Sequence, residues 1–139
     1  MASCLVIIGA LLLVGVVSRG ILRHVVQTAP LWIAVVLGAR RSTLTRWAAL
    51  PPLVFWLVVM LALWMHLLGL AGWITGTFSP TEIALTVVVA AAALVGIRQA
   101  SLVPASAARS VGGLGTMVAV AGFQFLAFRW SFLPGIAHD

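Results

Sequence analysis

The stretch LVFWLVVMLALWMHLL, residues 53–68, decides the fold class of this chain. It lies within a run from Trp47 to Trp73 that contains no Asp, Glu, Lys or Arg. About 20 apolar residues are enough for a helix to cross the hydrocarbon core of a bilayer. The run is continuously apolar, whereas the strands of a transmembrane barrel alternate apolar and polar residues. We therefore predict a membrane-spanning α-helix at residues 48–74.

The composition extends this prediction to the whole chain. Of its 139 residues, 63% are hydrophobic and only 7% are charged. A water-soluble domain of this size would need a far larger polar shell. Three further apolar runs predict spans at residues 2–27, 80–98 and 111–133. We therefore expect an all-α integral membrane protein, a four-transmembrane-helix bundle that forms a single membrane domain.

The N-terminal part of the chain allows two interpretations. In the first, one helix covers residues 2–27 and residues 29–39 form a short half-span or interfacial helix. In the second, residues 2–17 and 25–38 are separate short spans, which makes five spans in all. The positive-inside rule favours the first, because most arginines then lie on the cytoplasmic side and Glu82 lies outside. We expect a bacterial inner-membrane protein whose N-terminus and C-terminus are both outside.

The basic residues predict contacts with lipid. All eight are arginines, and the formal net charge is +6. In a soluble chain this balance would indicate nucleic-acid binding. Here the arginines flank apolar runs, where such side chains reach anionic headgroups. We therefore expect anionic lipids, and no nucleic acid, as partners. The predicted headgroup contacts are Arg19, Arg23, Arg40, Arg41 and Arg46.

Glu82 lies near the start of an apolar run, in the stretch FSPTEIAL. The sequence S-P-T-E that begins at Ser79 is typical of a capping box, in which the first and last side chains bond each other's backbone amides. We therefore predict that Ser79 and Glu82 form a helix cap and that Glu82 is not a proton carrier. Depth along the spans brings Arg129 to the same outer surface, and we predict an ion pair between Glu82 and Arg129, or at least their proximity. The alternative is that Arg129 extends to outer headgroups.

His66 lies inside the run that decides the fold, where a polar group is costly and is a functional candidate. The pattern Ala62-xxx-His66-xxx-Leu70 resembles the A-x-x-x-H-x-x-x-L pattern of bacterial antenna polypeptides, whose histidine ligates bacteriochlorophyll. The resemblance implies a cofactor-binding role for His66, with bacteriochlorophyll or haem as the tetrapyrrole. A hydrogen bond to another helix also explains a histidine at this depth, so the cofactor stays open.

Gln124 is the other polar residue deep in a span. It lies 13 residues after Val111, just as His66 lies 13 residues after Leu53, and both runs cross in the same direction. Equal depth predicts that Gln124 and His66 face each other or line one shared pocket. Such a pocket would make Gln124, with His66, a cofactor-binding residue, or it would be the site of a small transporter.

The last span carries a face of small residues at spacings of three, four and three. Small residues let helix backbones approach closely in a membrane. We therefore predict a helix-packing face, either against the third span or against another protein. Its members are Gly112, Gly115, Ala119 and Gly122.

The sequence lacks the motifs of a working catalytic site. It has no nucleophile with an oriented base, no HExxH and no phosphate-binding loop. We expect no enzyme, no catalytic residue and no metal site. The spans, small-residue faces and short loops favour an accessory, structural or assembly subunit of a larger membrane complex. Its partners would be other membrane protein subunits. A tetrapyrrole-binding subunit and a small transporter are the alternatives.

Overall fold

A computed structural model describes residues 1–72, 78–102 and 110–137 of the chain. In this part the regular structure is entirely helical. The helices are α1 (Ala2–Val17), α2 (Ile21–Ala39), α3 (Thr45–Leu67), α4 (Pro80–Leu102), α5 (Ser110–Trp130) and the short α6 (Pro134–Ala137). Helices α2 to α5 are each long and apolar enough to cross a membrane, and α1 is a shorter apolar helix. The predicted all-α integral membrane fold, with four membrane-spanning helices and one short helix, is confirmed.

The short helix is α1, so its predicted position at residues 29–39 is wrong, as is the single helix over residues 2–27. The chain leaves the helix at Arg19, whose φ is 57°. The amide of Gly20 then donates to the carbonyl of Gly15 at 2.9 Å, which closes a Schellman turn. A left-handed residue at this position is usually glycine, so an arginine there gave no sequence signal for the break.

Helix α2 continues through Pro30, which lies in its interior. Neighbouring helices make an interior proline tolerable in a membrane protein. Separate α1 and α2 correspond to the second interpretation of the N-terminal sequence. The 16 residues of α1 rise about 24 Å, less than the usual span of about 30 Å.

Helices α1 to α5 form a closed ring in the order α1, α2, α5, α3, α4. Helix α2 also touches α3 across the ring. Successive helices are antiparallel. Met1 packs against Gly38 at one end of the bundle, whereas Gln27, near the start of α2, bonds Ser131 just after α5. The two termini of the described chain therefore lie at opposite ends of the bundle. The prediction that both are on one side is wrong, because the break at Arg19 adds a reversal of the chain.

Two ends of the bundle follow from this arrangement. We call the end with Met1 and the start of α3 the Arg46 end, and the opposite end, with the starts of α2 and α4, the Arg23 end. The Arg46 end carries Arg40, Arg41, Arg46 and Arg98, and the Arg23 end carries Arg19, Arg23 and Arg129. The predicted grouping of Arg19 and Arg23 with Arg40, Arg41 and Arg46 on one side is therefore wrong.

Two glycines permit the closest helix contacts of the ring. A Cβ on Gly113 of α5 would lie 2.4 Å from the indole of Trp47 on α3. A Cβ on Gly96 of α4 would lie 2.8 Å from Leu53 and 2.9 Å from Ser3. Because no side chain fits at either position, these glycines set how closely α3 approaches both α4 and α5.

Candidate functional site

A cavity of about 520 Å³ lies between the helices at the Arg23 end. Helices α1 to α5 all contribute side chains to it, because the ring leaves space between them. Apolar side chains of α1, α3 and α4 line its inner part, among them Leu11, Met60 and Val89. Charged side chains near the starts of α2 and α4 line its outer part, among them Arg23 and Glu82. The cavity thus has an apolar body and a charged mouth.

Helix α2 supplies three polar side chains to the cavity, namely Arg23, His24 and Gln27. The guanidinium of Arg23 lies 4.2 Å from the ring centroid of Phe132, a cation–π contact. Nδ1 of His24 donates to the carbonyl of Gly20 at 2.8 Å, which ties the ring to its own helix. Nε2 of Gln27 donates to Oγ of Ser131 at 2.9 Å. Gln27 therefore fixes the start of α2 to the end of α5 beside the cavity.

Helix α4 supplies Glu82 and Thr86, one turn apart. The backbone amide of Ser79 donates to Oε2 of Glu82 at 2.7 Å, and the amide of Glu82 donates to Oγ of Ser79 at 3.3 Å. Both hydrogen bonds of a capping box are therefore present at the start of α4. Thr86 accepts a hydrogen bond from Nε1 of Trp64 at 3.0 Å, which joins α4 to α3.

Two residues of the cavity wall each have a buried N–H donor that finds no acceptor in the part of the chain that the structure describes. The donors are Nε of Arg23 and Nε1 of Trp56. Trp56 is 3% exposed, so its donor is well removed from solvent. A buried donor without an acceptor costs about 1–3 kcal/mol, because it has lost its hydrogen bond to water. The described residues therefore leave these two donors without compensation for their burial.

Aromatic rings form one side of the cavity. The ring of Phe128 meets that of Trp56 edge to face, with centroids 6.5 Å apart, and that of Phe132 at 5.1 Å. Phe55 packs behind Phe128 at 5.0 Å. Such contacts hold the rings in fixed orientations, so this wall is pre-formed.

The structure does not bring His66 and Gln124 together in the cavity, so the prediction that they face each other or share a pocket is wrong. His66 lies one residue before the end of α3, and its Nδ1 donates to the carbonyl of Ala71 at 3.1 Å. Gln124 lies six residues before the end of α5, about 9 Å from that end of the helix. Neither side chain lines the cavity. The apolar runs that begin at Leu53 and Val111 start at different depths in their helices. Equal spacing within the two runs therefore did not mean equal depth in the bundle.

Gln124 is nevertheless an unusual group. Its side chain is 1% exposed, and both Nε2 and Oε1 are buried without a hydrogen-bond partner. It lies on the inner face of α5, which packs against α2 and α3. The side chain therefore carries a cost of desolvation that no contact in the described residues offsets.

The predicted ion pair between Glu82 and Arg129 is not formed. Arg129 is exposed at the end of α5, whereas Glu82 is half-buried and turns to the cavity that Arg23 and His24 also line. The two residues do lie at the same end of the bundle. Position along the spans therefore predicted correctly that both residues lie at the same end of the bundle. It could not predict the direction in which each side chain points around its helix.

The arginines predicted to reach lipid headgroups fall into two groups. Arg19, Arg40 and Arg41 are exposed. Arg46 is half-buried and lies over the ring of Trp47, with 4.8 Å between the guanidinium carbon and the ring centroid. Arg23 is also half-buried and lines the cavity, so its position differs from that of the three exposed arginines.

The predicted packing face of α5 points away from the bundle. All four of its members, Gly112, Gly115, Ala119 and Gly122, are exposed. A Cβ built on any of the three glycines would meet nothing within 4 Å. Among the described residues α5 makes at most slight contact with α4, so this face does not pack on the third span. The predicted contact with the third span is therefore wrong, and packing against another protein stays a prediction.

Sequence reasoning missed most of the cavity residues. Arg23 and Gln27 are four residues apart, which places them on one face of any helix that covers both, the predicted helix over residues 2–27 included. Because we predicted a helix running from residue 2 to residue 27, we assigned Arg23 to headgroups. The polar spacing of Arg23, His24 and Gln27 was the available signal. Trp56 and Thr86 gave no signal, since their positions on the cavity depend on packing.

No family model matches the chain, and no curated protein or solved structure matches it.

Proposed function

We propose that this protein is a structural, non-catalytic subunit of a larger membrane complex and that it binds a transmembrane helix of a partner subunit through the outer face of α5. The observation that carries the proposal is the exposure of Gly112, Gly115, Ala119 and Gly122 on one side of α5. In a bilayer, helices associate through close packing and hydrogen bonds, and small residues allow the closest approach. This face supplies such a surface and leaves it unused within the bundle.

The outer face of α4 differs from that of α5. On α4 the exposed side chains include Val87, Val88, Leu94 and Val95. Ala84 and Ala91 are exposed between these larger side chains, but α4 exposes no glycine. On α5 the small residues lie beside exposed large ones, among them Val111, Val118 and Phe125. A groove with an adjacent ridge is the shape into which a second helix packs.

We also propose an orientation. Among the described residues the Arg46 end carries more arginines than the Arg23 end, and Glu82 lies at the latter. By the positive-inside rule the Arg46 end, with the N-terminus, would face the cytoplasm and the end of α5 would face outward. A helical bundle suits the inner membrane of a bacterium, since single-chain proteins of the outer membrane are barrels.

Site-specific crosslinking in native membranes tests the proposal. The protein has one cysteine, Cys4, which is buried, so a Cys4→Ala background permits single new cysteines. We expect Ala119→Cys to crosslink to one membrane protein at fixed stoichiometry. The matched control is Ala91→Cys, because Ala91 is exposed on the outer face of α4; it should give no such product.

A larger side chain at each of the same two positions gives the second test. Ala119→Leu should abolish co-purification of the crosslinked partner in a mild detergent, whereas Ala91→Leu should retain it. Equal loss or equal retention in the two variants would refute the role of the α5 face. If the product at position 119 is a second copy of this chain, the face is a self-association surface and the proposal of a separate partner subunit fails.

A further inference from the structure

The cavity at the Arg23 end has the size and build of a small-molecule site. Its volume of about 520 Å³ lies within the range of about 300–1,000 Å³ that such sites occupy. It combines a wide apolar wall with a few polar groups at one end, which is the usual distribution in a site that orients a ligand. The face of α5 that carries the proposed function is on the opposite side of that helix, so the two features are independent.

The unmet polar groups of the cavity define the ligand's polar part. Nε of Arg23 and Nε1 of Trp56 are buried donors without acceptors among residues 1–72, 78–102 and 110–137. Among the described residues no carboxylate lies within the 4.0 Å of Arg23 that an ion pair requires. A guanidinium has five N–H donors and binds carboxylate or phosphate oxygens in a fork. A ligand with a negatively charged acceptor would therefore complement the donors of Arg23.

Glu82 lines the same cavity but does not supply this charge. Its Oε2 accepts from the Ser79 amide at 2.7 Å, at the positive end of α4. Its carboxylate is thus held at the helix start. The guanidinium of Arg23 rests instead on the ring of Phe132 at 4.2 Å, which orients it without neutralising it.

We propose that this cavity binds an amphipathic anion, with a carboxylate or phosphate head at Arg23 and an apolar body among the side chains of Leu11, Met60 and Val89. The head stays at the level of the starts of α2 and α4. The apolar body extends toward the middle of the bundle. Burial of that body away from water supplies the affinity, and Arg23 supplies the preference for an anion.

Binding is measured on the full chain in nanodiscs of phosphatidylcholine, with three bromine-tipped probes: 11-bromoundecanoate, 11-bromoundecyl phosphate and 11-bromoundecanol. Bromine quenches tryptophan fluorescence at short range, and Trp56 lines the cavity. We expect saturable quenching by the carboxylate and phosphate probes, and at least tenfold weaker binding of the alcohol. Trp56→Phe should reduce the quenched amplitude. Quenching that never saturates, or equal affinity for the alcohol, would overturn the proposal.

Variants test the head and the body separately. Arg23→Gln should weaken binding of both anionic probes at least tenfold and that of the alcohol less than twofold. The control Arg19→Gln alters an exposed arginine at the same end and should change neither. Leu85→Phe adds bulk to the cavity wall and should weaken all three probes, which keeps the test valid if Arg23→Gln does not fold. Wild-type affinity for the anionic probes in Arg23→Gln, or in Leu85→Phe, would overturn the proposal.

The anion has two candidate sources, a bilayer lipid and a free amphiphile. Addition of an anionic phospholipid to the nanodiscs distinguishes them. In nanodiscs that contain phosphatidylglycerol, competition with the carboxylate probe identifies an anionic phospholipid as the natural source. Undiminished probe binding identifies a free amphiphile. Inorganic phosphate should not displace the probe in either case, and displacement by it would refute the requirement for an apolar body.

Discussion

The inner and outer faces of α5 use the same residue type for opposite purposes. Gly113 faces inward, where a Cβ would lie 2.4 Å from the indole of Trp47. Gly112, its neighbour in the chain, faces outward, where a Cβ would meet nothing within 4 Å. The inner glycine is required by packing that exists within the bundle. The outer glycines leave room for packing that the bundle does not use. The contrast separates residues that stabilise this fold from residues available to a partner.

The strongest test of the contrast is Gly113→Ala. The new methyl group would clash with Trp47, and overpacking of this kind costs about 1–3 kcal/mol; we expect a value near 3 kcal/mol because the contact is with a large ring. Reversible unfolding in mixed micelles measures the loss. Gly112→Ala is the control and should leave the stability unchanged or raise it by up to about 1 kcal/mol. Similar losses in the two variants would mean that the faces are not distinct.

The second test concerns Gln124, also on the inner face. Its amide is buried without a hydrogen-bond partner in the described part of the chain, so Gln124→Leu removes a desolvated polar group and keeps a similar volume. We expect stabilisation by about 2 kcal/mol in the same unfolding assay. The comparison is Gln27→Leu, which breaks the bond to Ser131 and should destabilise. If Gln124→Leu also destabilises, the amide has a partner in the membrane that the bundle alone does not provide.

The third test concerns the end of the inner face. Oγ of Ser131 accepts from Gln27 and donates to the carbonyl of Phe128 at 2.6 Å. Ser131→Ala should cost about 1 kcal/mol, the usual value for a hydrogen bond between membrane helices. A double-mutant cycle with Gln27→Leu should show that the two losses are not additive. Additive losses would indicate that the hydrogen bond contributes nothing to the attachment of α2 to α5.

The smallest change in the free energy of unfolding is expected for a substitution on the outer face of α5. Ala119→Leu should change the unfolding free energy by less than about 0.5 kcal/mol, because the side chain points away from the bundle. The same substitution is the one expected to abolish association. A loss of stability comparable to that of Gly113→Ala would show that the outer face contributes to the fold itself.

Local sequence patterns predicted the features that depend on local physics. The uncharged run around residues 53–68 predicts a membrane helix wherever its neighbours lie, and α3 covers it. The capping box of Ser79 and Glu82 depends on four consecutive residues, and its two hydrogen bonds are present. The break at Arg19 was present only in the interpretation that we did not favour, because a left-handed arginine carries no pattern of its own. The favoured interpretation reversed the direction of α1 relative to the rest of the chain and assigned Arg23 to headgroups.

The sequence by itself determined that this protein is a helical membrane protein, because apolar length and helix-start chemistry are properties of short segments. Only the tertiary structure decided which face of each helix is inside. A helix with apolar residues on all sides, such as α5, gives no amphipathic signal to orient it. Its rotation is set by where Gly113 can approach Trp47. The same packing places Arg23 on the cavity and leaves the glycines of the outer face uncovered.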